Sequence, residues 1–348
     1  MKTLSLTLLS TVAVLSSHAG MDVEESCRDR APRYRVVDLG VAPGRANTYV
    51  INAHCLNNRG QVVGWSNDGA PYDFQNDSAF LWSPSQGLRT LPSLANAATA
   101  LAVALNDAGD IVGFSGDPFP ASTPTVWTRR GPQALAIPAG YQGGLAFGIN
   151  NRGLIGGGLL TDDGRLHPFV WKDGVPRLLP QVGDPATSEG SCYMVGDRGL
   201  IVGSSDLKPA VWKNGQVIGL GTFGGERGQA NGVNDRDQVV GFSEDGLGGV
   251  HGFIWENGAM TKLTTDEPYT VALSINNRGQ IAGAAGAGNL LGDAVLWQHG
   301  QRIILGETLP ANSGWVLIEA DCINDQGQIT GLGMHDGQPR AFLLTPRD

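Results

Sequence analysis

The sequence predicts an all-β fold, a β-propeller of seven four-stranded blades. A nine-residue turn motif recurs seven times, and a second motif ending in tryptophan follows it six times. The composition agrees: 51 glycines, 19 prolines and 16% charged residues suit many short strands joined by tight turns. No segment sustains the 3.6-residue apolar period of a long helix.

The first element is an export signal. Lys2 gives a positive start, an apolar stretch runs from Leu4 to Leu15, and Ser17 and Ala19 offer small residues for cleavage. Residues 1–19 are therefore set apart as a signal peptide, 20–33 as an N-terminal segment and 34–348 as the propeller. No later stretch approaches 18 consecutive apolar residues, so no membrane span is expected. The expected address is secreted or periplasmic.

The repeated motif reads [LIV]-[NG]-[ND]-x-[GD]-x-[IV]-x-G. Its copies begin at Leu56, Leu105, Ile149, Val195, Val233, Ile275 and Ile323. By subtraction, the closing glycines Gly64, Gly113, Gly157, Gly203, Gly241, Gly283 and Gly331 lie 38 to 49 residues apart. Spacings of about 40–50 residues are those of propeller blades. Each copy predicts an antiparallel hairpin, two short β-branched runs around an Asn/Asp-x-x-Gly turn.

The third strand of each blade ends at Trp82, Trp127, Trp171, Trp212, Trp255 and Trp297, with Leu344 in that place in the last copy. Turns such as Lys172-Asp173-Gly174 then lead to a short fourth strand. The seventh copy stops at Asp348 without one, whereas Tyr34–Gly40 forms an unpartnered strand at the other end. That N-terminal strand is predicted to complete the last blade, which removes a free sheet edge. A monomer is expected.

The alternation of an A-x-A-[IL]-N-x-x-G-Q-[IV]-x-G segment with an H-A-F-[LV]-W-x-x-G segment resembles the extracellular HAF repeat family of bacteria. The resemblance covers nearly the whole chain after residue 19. Its His-Ala-Phe triplet survives in altered form at His167, His251 and Ser78. It implies export and a propeller-like repeat and names no activity.

The formal charge of −9 argues against nucleic acid or an anionic membrane as partner. The four cysteines, Cys27, Cys55, Cys192 and Cys322, match no zinc spacing. Cys55 and Cys322 share a repeat position in adjoining blades and are a candidate disulfide, with Cys27 as competing partner and Cys192 as a small buried residue. The acidic turns are too short to wrap an ion as an EF-hand does, so no metal and no cofactor is expected.

The A–B and C–D turns share one face and are stereotyped. The B–C and D–A loops share the other and are irregular, which makes that face the candidate binding surface. It is acidic and carries aromatic residues, a combination suited to a sugar or another extracellular polymer. Asp68, Tyr72, Asp73, Asp77, Phe119, Tyr141 and Trp315 are the candidate ligand residues.

One inner-strand position varies in an informative way. Two residues before each motif stand His54, Val103, Phe147, Tyr193, Asn231, Leu273 and Asp321, behind small residues such as Ala53, Ala102 and Ala146. His54, Tyr193 and Asp321 are candidates for an axial acid–base site, with Asp321 orienting the imidazole from the adjacent blade. The expected function is a non-catalytic binding propeller for glycan or another extracellular polymer. The alternatives are a polysaccharide lyase or hydrolase using that axial site, and a scaffold for exported proteins.

Overall fold

A computed structural model describes residues 33–50, 54–69, 77–116, 122–184, 187–263, 267–286 and 292–347. Residues 1–19, Cys27, Tyr72, Asp73 and Phe119 lie outside these. No helix among the described residues is long and apolar enough to cross a membrane.

Five four-stranded antiparallel sheets and one of eight strands make up the fold. The eight-stranded sheet consists of two four-stranded units joined by one parallel bridge, Val250 to Tyr269. The chain thus forms seven units, here blades 1 to 7, each with strands A to D in order from the inside. In six of them sequence order and sheet order agree. In blade 7 the inner strands Trp315–Ile323, Ile329–His335 and Gln338–Pro346 are completed by Tyr34–Asp38, with Val36 opposite Leu344. The Leu39 amide then donates to Ala341 as Leu91 does to Ala79, so the borrowed strand ends as a native D strand does.

The repeated asparagine has two roles. In blade 1 the Asn57 side-chain oxygen accepts from the amides of Arg59 and Gln61 and holds its own turn. Its amide donates 3.1 Å to the carbonyl of Asn106 in blade 2. The same link runs from Asn106 to Asn150, Asn150 to Gly196, Asn234 to Asn276, Asn276 to Asn324 and Asn324 back to Asn57. These buried side chains satisfy carbonyls that would otherwise face the axis unpaired.

The next residue of each turn builds a second ring in the order Asn58, Asp107, Asn151, Asp197, Asp235, Asn277, Asp325. Each backbone amide donates to the following side chain, as Asn58 does to Asp107 at 2.8 Å. Asn151 and Asn277 also donate to the carboxylates on both sides. In a ring of seven an Asn/Asp alternation must fail once. It fails between Asp197 and Asp235, where the described residues make no such bond, and the same seam has Gly196 in place of the ring asparagine. Arg198 bridges it instead, donating to the Asp235 carbonyl at 2.8 Å.

The tryptophans stitch blades together on the outside. Trp127, Trp171 and Trp212 donate their indole N–H to Pro92, Ala136 and Pro180, each in the segment leaving the preceding blade. Blade-to-blade packing is apolar, as in the cluster of Val170, Leu179, Cys192, Ile201 and Trp212 between blades 3 and 4.

Closing glycines are required by backbone, not by turn geometry. A Cβ on Gly113 would stand 2.0 Å from the Leu101 carbonyl oxygen, and the six other closing glycines meet the inner strand the same way. In blades 2 to 7 the register slips one residue beyond that contact, at Val103, Phe147, Tyr193, Asn231, Leu273 and Asp321. These are β-bulges, which re-aim a side chain out of the alternating pattern.

Candidate functional site

The bulges explain why the position two before each motif escapes the packing rule. A residue left over from the ladder is free to line the axis instead of a blade interface. Blade 1 departs from the others. Tyr49 faces Trp65 as Leu101 faces Phe114, and its carbonyl lies over Gly64. The small residue expected at Ala53 is replaced by Val50, which corrects the repeat alignment.

The expected acid–base trio does not assemble: no hydrogen bond joins His54, Tyr193 and Asp321. His54 Nδ1 lies 3.3 Å from the carbonyl of Ile149, across the axis in blade 3. Because that oxygen only accepts, Nδ1 carries the hydrogen. Burial holds the imidazole below its ordinary pKa, opposed by the Ile149 bond and by Asp197 and Asp107. His54 thus lines the A–B mouth, where a cavity of about 110 Å³ is bounded by the two turn rings. Its charged neighbours are ring aspartates; Asp321 does not orient it.

Tyr193 packs against Phe147, with ring centroids 5.2 Å apart, and its hydroxyl shares a hydrogen bond with Ser204. Burial raises its pKa. Asp321 is 2% exposed, and its carboxyl pKa lies well above the ordinary range, first through burial and then through Glu319. Glu319, half-buried two residues earlier on the same strand, is raised by burial to about 7. Tyr269 feels the same carboxylate. Sequence reading passed over Glu319, yet a signal existed. Its counterparts are Tyr49, Leu101, Leu145, Ser191, Gln229 and Val271, so a carboxyl there breaks an otherwise uncharged series.

The inner strands therefore divide into two walls. Blades 1 to 3 contribute Tyr49, Leu101, Val103, Leu145 and Phe147 to one apolar cluster. Blades 4 to 7 contribute Tyr193, Gln229, Asn231, Glu319 and Asp321, interrupted by the apolar Val271 and Leu273 of blade 6. Within that polar wall Gln229 donates to Asn231 at 2.6 Å, and Asn231 donates to the Ala272 carbonyl at 2.8 Å.

On the irregular face several expected ligand residues serve the fold. Asp68 pairs with Arg45 at 3.2 Å. Asp77 is 2% exposed, beside buried Tyr49. Tyr141 meets Phe169 edge-on, and its hydroxyl lies 3.2 Å from His167 Nδ1. Trp315 stacks on His335 at 4.5 Å, and His335 is 3.0 Å from Asp38. His251 lies against Phe223 and binds Asp245 at 2.7 Å. A histidine clamping an aromatic ring thus recurs in blades 3, 5 and 7, and the loop aromatics anchor their own loops. The half-exposed Trp315 and His335 remain open to a ligand at their edges.

The Cys55–Cys322 disulfide joins blades 1 and 7 with Cα atoms 6.1 Å apart, and Cys192 is free and buried.

No protein family's sequence profile matches the chain, and no curated protein sequence matches it either. Solved structures do resemble it. Virginiamycin B lyase from Staphylococcus aureus superposes with a TM-score of 0.52 at 10% identity, over 90% of this chain and 99% of the lyase. The β-propeller domain of the Trilobed protease from Pyrococcus furiosus gives 0.52 at 8% identity, over 86% and 93%. A puromycin-hydrolyzing peptidase from Mycobacterium tuberculosis gives 0.56 at 12% identity, over 92% of this chain and 54% of the peptidase. Identities this low carry the propeller fold and nothing of the chemistry.

Proposed function

We propose that this chain is an exported binding propeller that engages an extracellular polymer, a glycan in the first instance, at its irregular face and the adjoining mouth of the axis. The supporting observation is the two-walled axis, with Phe147 and its apolar neighbours facing amides, hydroxyls and carboxyls of blades 4 to 7. A sugar ring presents the same duality, C–H faces that pack on aromatic and apolar surface and hydroxyls that need polar partners. The dispersal of His54, Tyr193 and Asp321 favours binding over turnover by that trio.

The test is a glycan-array screen of residues 20–348, with turnover assayed on every hit. Binding without turnover, weakened about tenfold or more by Phe147→Ala or Asn231→Ala and less by His54→Ala, supports the reading. Turnover would make the protein a lyase or hydrolase. Silence on the array would leave an exported protein as the partner.

A further inference from the structure

The stereotyped face breaks its own pattern between blades 3 and 4. In blades 1, 2, 5, 6 and 7 the residue four places after the ring asparagine is polar and accepts from the asparagine amide: Gln61, Asp110, Gln238, Gln280 and Gln328. Three of these side chains also bridge to the C strand, at Glu256, Gln298 and Thr345. Blade 3 has Leu154 in that place, opposite Lys172, and so can make neither bond. The space beside the leucine is also open. A Cβ on the turn glycines Gly60, Gly279 or Gly327 would meet Gln328, Arg236 or Gln280 of the preceding blade within 4 Å, whereas a Cβ on Gly199 of blade 4 would meet nothing within 4 Å. Gly109 and Gly153 are open in the same way, but the preceding blade then carries Gln61 or Asp110 in the leucine's place.

Leucine and open glycine together leave a groove of about 430 Å³ between blades 3 and 4, and an adjoining hollow of about 300 Å³ shares Leu154, Arg177 and Gly199 with it. Register sets the lining. Leu154, Lys172 and Val175 form one cross-strand row and Val170 and Arg177 the next, while Ile201 and Trp212 of blade 4 line the hollow. Val175 is 66% exposed, an apolar side chain left in water at this groove. In a chain of formal charge −9, no carboxylate lines the groove or the hollow. Three cations do: Arg152, Lys172 and Arg177. Lys172 donates to the Arg152 carbonyl and stands 3.8 Å from Asp173. Neither guanidinium has a hydrogen bond or ion pair among the described residues.

Small-molecule sites are apolar clefts of about 300–1,000 Å³ with a few polar groups that fix orientation. Here the apolar part is aliphatic and the polar part is guanidinium, whose planar fork matches a carboxylate. A sugar fits this lining poorly, because its hydroxyls need strong acceptors as well as donors. We propose that the groove between blades 3 and 4 binds a small amphiphilic carboxylate, its apolar body on Leu154, Val170 and Val175 and its head on Arg152 and Arg177. The site belongs to the stereotyped face and stands independently of any glycan.

The experiment titrates residues 20–348 by calorimetry with sodium naphthoate and sodium octanoate, with their uncharged amides and acetate as controls. Saturable binding of at least one of the two carboxylates, one per chain with a Kd below about 1 mM, is expected. The matching amide and acetate should bind at least tenfold more weakly. That comparison uses the unmutated chain and stands whether or not a variant folds. Arg177→Gln and Leu154→Gln should each weaken binding at least fivefold, with circular dichroism unchanged; the second restores the glutamine that blades 1, 5, 6 and 7 carry. Arg89→Gln, at the matching place in blade 1 opposite Leu81, should leave binding unchanged. So should Phe147→Ala, which weakens glycan binding at the axis and thereby separates the two sites. The absence of saturable binding of either carboxylate below about 1 mM overturns the proposal. So does an amide that binds as well as its acid, binding that survives Arg177→Gln or Leu154→Gln, or binding lost with Arg89→Gln or Phe147→Ala.

Discussion

Replacing Gly113 by alanine tests the link between the closing glycine, the bulge and the axis lining. The new methyl would stand 2.0 Å from the Leu101 oxygen, 3.0 Å from its carbonyl carbon and 3.1 Å from the Ala102 Cα. All three are backbone atoms, so no side chain can swing aside. Relief requires the inner strand Ala100–Leu105 to shift by about 1 Å from Ile111–Ser115, a small-to-large change of the kind that costs about 1–3 kcal/mol. One or two ladder hydrogen bonds stretched by that shift add about 1 kcal/mol each. The expected loss is about 2–5 kcal/mol, which at about 2–3 °C per kcal/mol for a large domain lowers the Tm by roughly 4–15 °C. The assay is urea and thermal unfolding followed by circular dichroism. Gly306→Ala is the control, because nothing lies within 4 Å of its added methyl. It should stay within about 0.5 kcal/mol of the parent. If Gly113→Ala also does so, the carbonyl contact is not what the repeated glycine serves.

Two further outcomes follow from the same geometry. Glu319, raised by burial to about 7, binds its proton more tightly in the folded than in the unfolded chain. It therefore contributes stability that is full below the ordinary glutamate pKa of about 4.3 and is lost as pH rises through about 7. Asp321 shifts in the same direction. The urea midpoint should fall from pH 5 to pH 8, and Glu319→Gln should flatten that fall; a midpoint that climbs over this range contradicts the assignment. Reduction of Cys55–Cys322, which spans 267 residues, should lower stability by up to about 5 kcal/mol in the chain-entropy limit. Buried Cys192, whose thiol pKa is raised by burial, should react with thiol reagents only on unfolding. Unchanged urea midpoints with and without reductant would show that the bond adds nothing to ring closure.

The sequence by itself determined the strand count, the turn chemistry and the borrowing of Tyr34–Asp38 by the last blade. Each depends on local pattern: alternating β-branched residues, an Asn-x-x-Gly turn, and a seventh copy lacking its fourth strand. Tertiary structure decided the rest. The Asn57 amide finds its acceptor in Asn106, 49 residues away by subtraction, and no local rule shows that partner. The closing glycines were legible as a repeat, but only the paired inner strand puts a carbonyl over each. The same bulges decide which side chains leave the ladder, and His54 meets Ile149 and the turn rings, not Asp321. Glu319 was legible as an odd residue in its column. Its meaning came only when folding placed it near the buried carboxyl of Asp321.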